Sequence, residues 1–180
     1  MLGLVTEPIV GIVMGSDSDL PVMRAAVEAL REFDLAAEVR VLSAHRTPDE
    51  TIAWAREAAE RGLRVLIAGA GGAAHLPGVV AAVTSLPVIG VPISATRLDG
   101  WDALLAIAQM PAGVPVACVA IDGARNAGLL AARILAAGDD GLRARIDAFR
   151  ADLAAKVRDK DAKVRAEFDL NRPPRPFGFG

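Results

Sequence analysis

The chain has 180 residues, is 53% hydrophobic but only 4% aromatic, and carries 20 basic against 22 acidic side chains for a formal charge of -2. That length suits one domain with a core of small apolar side chains, and the charge excludes bulk attraction to nucleic acid or to an anionic membrane. A single cysteine, Cys118, excludes an internal disulfide; with no signal-peptide pattern and with charges breaking every long apolar run, the expectation is a cytoplasmic protein without a membrane span.

Apolar runs and helical patterns alternate along the chain. Ile9 to Met14 reads as a strand covered on both faces. The spacing then predicts a helix over Leu20 to Phe33, with Pro21 in its first turn and Met23, Ala26, Val27 and Leu30 on one face. Ala37 to Leu42 mixes charged and apolar residues and reads as a strand nearer an edge. Thr47-Pro48-Asp49-Glu50 has the form of a capping box opening a helix that Gly62 closes. Val65 to Ala68 is the third strand, Leu76 to Thr84 a short helix, and Val88 to Val91 the fourth strand. A helix over Trp101 to Met110, a buried strand over Val116 to Ile121 holding Cys118, and a helix over Asn126 to Ala137 complete five βα units. Trp54 and Trp101 fall inside helices and read as packing residues.

Strands alternating with helices in this way imply an α/β, three-layer (Rossmann-like) fold: a parallel five-stranded sheet with helices on both faces, in the flavodoxin-like strand order. The expected organisation is a single catalytic domain over residues 1–170, with a core at about 9–137, a C-terminal helix at about 139–168 and a proline-rich tail at 171–180. On the C-terminal helix, Leu142, Ile146, Phe149, Leu153 and Val157 form one apolar seam, and the pattern continues to Val164 and Phe168. Two readings stand for that seam: packing on the chain's own core, or a contact between subunits.

Three consecutive strands end in polar, glycine-bearing loops, and in an open α/β sheet that end binds small ligands. The first loop holds Gly15, Ser16, Asp17, Ser18 and Asp19. Its N–H groups and hydroxyls suit an anion and its carboxylates suit ribose hydroxyls, while ordinary N-capping by Ser18 or Asp19 is the plain alternative. The second holds Ser43, Ala44, His45 and Arg46. Arg46 offers bidentate donors to a phosphate, Ser43 adds a hydroxyl, and an imidazole such as His45 suits proton transfer near neutral pH. The third, Ala68 to Gly78, presents nearly bare backbone at Ala70, Gly71 and Gly72 before His75, which suits close approach of a flat ligand or of carbon dioxide. His75 reads equally as a capping or packing residue. The third loop lacks the lysine and Ser/Thr of a nucleotide P-loop, and the two histidines with no paired cysteines give no metal-ligand set.

Met14-Gly15-Ser16-Asp17-Ser18-Asp19, Ser43-Ala44-His45-Arg46-Thr47-Pro48, the run from Ala68 to Gly78, and Gln109-Met110-Pro111 with Gly113-Val114-Pro115 resemble the class I N5-carboxyaminoimidazole ribonucleotide mutases of purine biosynthesis. The resemblance covers about residues 9–137, and the long glycine-alanine run is its most specific part. It implies a flavodoxin-like subunit of a homo-octamer, with a small-molecule ribonucleotide substrate and no metal or organic cofactor. It also implies roles. Ser16, Ser18 and Asp19 bind the ribonucleotide, Asp19 through ribose hydroxyls, and Ser43 and Arg46 hold its phosphate. His45 is the catalytic acid and base. Ala44, Ala70, Gly71 and Leu76 form the carbon dioxide pocket. Gly15, Gly72 and His75 lie near the site, with the role of His75 left open. Class II relatives, which carboxylate aminoimidazole ribonucleotide directly, lack the run and usually carry lysine at Arg46. Asp122 stands where the family commonly has glycine, and Ser94 to Asp99 is individual to this chain; both are expected to lie clear of the three site loops. The competing functions are direct carboxylation and a non-catalytic nucleotide-binding module.

Overall fold

The computed structural model describes residues 7–168, so the tail at 171–180 lies outside the described residues. β1 (Val10–Met14) pairs in parallel with β2 (Ala37–Val41) on one side and β3 (Val65–Gly71) on the other. β4 (Val88–Ile93) and β5 (Ala117–Cys118) extend the sheet to the order β2-β1-β3-β4-β5, the flavodoxin-like arrangement.

Alternation along the strands sends side chains to two separate cores. Val10, Ile12 and Met14 join Val65, Ile67 and Val91 under α1 (Leu20–Arg31) and α5 (Ala124–Ala136). Val13, Leu66 and Ala68 face the other way, under α2 (Pro48–Arg56), α3 (Leu76–Ala81) and α4 (Trp101–Ala108). Ile12, Leu66 and Ile67 are fully buried, each contributing roughly 1.5–3 kcal/mol of transfer free energy. Small residues let the layers close up. α5 crosses α1 at Gly128, where a Cβ would stand 2.6 Å from the Ala26 carbonyl oxygen.

Several local expectations change. The capping box does not form: the Thr47 hydroxyl turns back to Ser43, accepting from its N–H (3.0 Å) and donating to its carbonyl (3.2 Å). α2 ends at Arg56, and turns carry the chain to Gly62 at φ +88. β3 runs on to Gly71, because Gly69 and Gly71 find ladder partners in Val91 and Ile93. β5 shrinks to two residues at the sheet edge, so Cys118 is half-buried rather than core, with burial pushing its thiol up. Val39 and Val41 on edge strand β2 are exposed, as is Trp101 at 62%, so the packing expectation holds for Trp54 and fails for Trp101.

The described residues fall into two compact units divided between Arg143 and Ala144. α6 (Asp140–Glu167) begins in the first, where the Asp139 carboxylate accepts from the Leu142 N–H at 2.9 Å. Along the second unit Ile146 is buried, Phe149 half-buried, and Leu153, Val157, Val164 and Phe168 exposed. No described helix is long and apolar enough to cross a membrane.

Candidate active site

Parallel pairing brings the carboxyl ends of β1, β2 and β3 to one edge of the sheet, and the three polar loops meet there around a cavity of about 360 Å³. The first loop passes from β1 into a single 3-10 turn (Asp17–Asp19) that leads straight into α1. Ser16 is extended and caps this turn, its Oγ accepting from the Ser18 N–H (3.3 Å) and hydroxyl (2.9 Å). Capping therefore falls to Ser16, not to Ser18 or Asp19; Asp19 precedes α1 without a side-chain cap bond. Asp19 is 6% exposed yet lines the cavity. Burial raises its pKa, against the opposing pull of hydrogen bonds from the Ser16 backbone and the Ser18 side chain.

The second loop is a tight turn closed by the Thr47 N–H to the Ser43 carbonyl at 2.9 Å. From it Arg46 reaches across to the first loop, its Nη2 donating to the Gly15 carbonyl at 3.0 Å. Ser43 Oγ accepts from the Arg46 backbone N–H (3.2 Å) and Nε (3.4 Å), which leaves its own hydrogen free to donate. A shallower recess of about 290 Å³, lined also by Asp17 and Thr47, continues past Arg46. That end of the site carries the Arg46 guanidinium and the Ser16 and Ser43 hydroxyls beside the Asp17 carboxylate.

Opposite stands an almost bare wall. Ala70 and Gly71 at the end of β3, then Ala73 and Leu76, line the cavity together with Ala44. Gly72 turns the chain at φ +60, a conformation that favours glycine, but does not itself line the cavity. The turn delivers His75 to a position where its Nδ1 lies 2.8 Å from His45 Nε2, the two rings edge to face. One nitrogen of that contact carries a hydrogen and the other accepts it, so the pair can hold or pass a proton. His75 precedes α3 without a side-chain cap bond, so the capping reading fails.

Eleven of the sequence-nominated positions therefore line one cavity: Gly15, Ser16, Ser18 and Asp19; Ser43, Ala44, His45 and Arg46; and Ala70, Gly71 and Leu76. Gly72 and His75 adjoin it. Sequence reasoning read Ala73 only as part of the bare loop and missed Ala95. Ala95 follows β4, so the same strand-end rule could have found it. The expectation that Ser94 to Asp99 lies clear of the site is wrong, whereas Asp122 does not line the cavity. A Cβ on Gly71 would stand 2.5 Å from Ala95 Cβ, and one on Gly72 would stand 3.3 Å from Thr96 Cγ2. Asp122 in turn bonds Ser94. Among the described residues no group of three or more His, Cys, Asp or Glu side chains could hold a metal ion.

The sequence pattern of a family described as AIR carboxylase matches residues 9–156. The N5-carboxyaminoimidazole ribonucleotide mutase of Mycobacterium tuberculosis (strain ATCC 25618 / H37Rv) is 66% identical over 158 residues, 88% of this chain and 91% of that protein. The phosphoribosylaminoimidazole carboxylase of Schizosaccharomyces pombe is 56% identical over 160 residues, 89% of this chain and 29% of that longer protein. Among solved structures, Treponema denticola PurE matches with a TM-score of 0.79 at 29% identity, over 92% of this chain and 99% of that one.

Proposed function

The chain belongs to the AIR carboxylase family, and from that premise we propose that it converts N5-carboxyaminoimidazole ribonucleotide to 4-carboxyaminoimidazole ribonucleotide, a step of purine biosynthesis. One observation carries the reading: a single imidazole, His45, stands on the same cavity as an anion-binding end and a glycine-alanine wall. Arg46, Ser43 and Ser16 take the phosphate, and the Asp19 carboxylate, with Ser18 beside it, accepts from ribose hydroxyls. That assignment suits the charges, since a buried carboxylate would repel phosphate but not a hydroxyl.

The reaction then runs with its atoms closed. The N–C bond of the N5-carboxyl group breaks, its electron pair returns to nitrogen, and His45 protonates that nitrogen as carbon dioxide departs. Ala44, Ala70, Gly71 and Leu76 hold the gas by shape, because carbon dioxide has no charge to grip. Ring carbon 4 attacks it, and His45 takes the proton from that carbon to restore aromaticity. One imidazole gives a proton in the first step and recovers one in the second. Holding both fragments in one cavity supplies the proximity that free carbon dioxide in water would lack. His75, bonded to the His45 ring, fixes its orientation.

In the cell we place the enzyme in the cytoplasm as a homo-octamer. The support within one chain is exposed apolar surface: Trp101 at 62%, Leu98 at 61%, Leu153, Val157 and Val164 on α6, and Phe168 just past its end. A stable monomer in sedimentation equilibrium would overturn the assembly.

The activity is tested by absorbance in two parallel reactions. One contains N5-carboxyaminoimidazole ribonucleotide; the other contains aminoimidazole ribonucleotide with a modest concentration of bicarbonate. Fast product formation only in the first is the expected result. Efficient reaction in the second would make the chain a direct carboxylase, in line with the carboxylase name of the Schizosaccharomyces pombe relative. Binding without reaction in either would leave only a nucleotide-binding module.

A further inference from the structure

We propose that Asp122 is a positioning residue that holds the loop after β4 against β3 and thereby keeps carbon dioxide in the cavity; the proposal rests on the mutase reading above. The loop in question is Ser94 to Asp99, every residue of which is exposed in the single chain, so within one subunit no burial of apolar surface holds it in place. Its second residue, Ala95, is nevertheless part of the cavity wall and lies against Gly71. Ala95 donates its own N–H to the Ile93 carbonyl at 2.9 Å, and polar side chains fix the residues on either side of it. At the near end, Asp122 Oδ1 accepts from the Ser94 N–H at 3.0 Å and Oδ2 from the Ser94 hydroxyl at 2.5 Å. Asp122 is itself pinned to the end of β4, its N–H donating to the Pro92 carbonyl at 2.8 Å. On the other side of Ala95, Thr96 Oγ1 donates to Asp102 Oδ2 at 2.8 Å.

The backbone at position 122 makes the choice of residue informative. Its φ is +55, in the left-handed region where glycine is unstrained and a side chain is not. Aspartate tolerates that region better than most residues, but the feature that glycine lacks is the carboxylate bonded twice to Ser94. The wall matters because carbon dioxide is retained by closure alone. When Ala95 moves away from Gly71, the gas escapes and the chain releases aminoimidazole ribonucleotide plus carbon dioxide instead of the 4-carboxy product.

The test follows the fate of the carboxyl carbon. Substrate labelled with 13C in its carboxyl group is turned over once in unlabelled bicarbonate with carbonic anhydrase, and the product is weighed by mass spectrometry. Asp122→Gly should release label about fivefold more than the parent chain, on the scale of losing exposed charge-assisted bonds. Its melting temperature should stay within about 4 °C of the parent's, because relief of the backbone strain offsets the lost bonds. Asp122→Asn, which tolerates the same φ and keeps an acceptor for the Ser94 N–H, should restore retention. Unchanged label retention in Asp122→Gly overturns the proposal. So does equal leakage in Asp122→Asn, or a leak accompanied by a melting temperature lowered further than that, which would mark a general structural role. A parent chain inert toward the substrate would refute the functional reading instead. The anchoring is then read alone by hydrogen exchange, where the amides of residues 94–98 must exchange faster in Asp122→Gly or the proposal fails.

Discussion

Replacing Arg46 with alanine should weaken substrate binding far more than it slows the bound reaction. Of the five N–H groups on a guanidinium, Nε is spent on Ser43 and one hydrogen of Nη2 on Gly15, which leaves three for a ligand. Two of them can make a bidentate contact with phosphate oxygens. Bonds to charged groups contribute about 1.5–3 kcal/mol each when well formed. Arg46 is exposed in the unliganded chain, so the pair is discounted for solvent screening to about 2–3 kcal/mol in total. That corresponds to a KM raised roughly 30- to 150-fold. Arg46→Lys keeps the charge but cannot span from Gly15 to the ligand while presenting two parallel donors, and its KM should rise roughly tenfold. Initial rates over a range of substrate concentrations separate the two parameters, and calorimetric titration with product checks affinity directly. A KM within twofold of the parent, or an unchanged KM with kcat down a hundredfold, would remove the phosphate role from this residue.

Three further outcomes are expected. His45→Asn should abolish turnover while ribonucleotide affinity stays within a few-fold, and His75→Asn should lower kcat about tenfold with little change in KM; loss of affinity matching the loss of rate would make either one a binding residue. The Asp19 carboxyl is raised by burial above its ordinary 3.8, so the folded chain holds this proton more tightly than the unfolded one. Its contribution to stability is complete below pH 3.8 and lost as pH rises through the raised folded value. Asp19→Asn should therefore raise the melting temperature at pH 7, with the gain fading toward pH 4, and should also raise KM; an equal gain at both pH values would show that ionisation is not the cause. Gly128→Ala places a Cβ 2.6 Å from the Ala26 carbonyl oxygen. It should cost about 1–3 kcal/mol, a fall of roughly 3–10 °C in a thermal melt, and an unchanged melt would mean that α5 can shift freely on α1.

The alternation of apolar runs with helical patterns was enough, from the sequence, for a parallel sheet in the 2-1-3-4-5 order, because covered parallel strands are apolar throughout and short connections force helical crossovers. The polar loops after the first three strands were legible for the same reason: the carboxyl edge of such a sheet is where a ligand fits, whatever the chemistry. What stayed hidden depends on contacts between residues far apart in the chain. Nothing local in Asn126-preceding Ile121-Asp122-Gly123 signals that its carboxylate anchors Ser94, 28 positions earlier. Nor does the neighbourhood of His75 reveal its bond to His45, 30 positions away. Local pattern also misjudged Thr47, whose hydroxyl closes the turn with Ser43 where a capping box was expected. Strand length at the sheet edge was beyond it too, since β5 has a neighbour on one side only and its pairing ends after two residues. Periodicity and residue type are properties of neighbours along the chain, and they determined the architecture and the loops that carry the chemistry. Which side chain meets which across the cavity was decided only when the sheet brought four strand ends together.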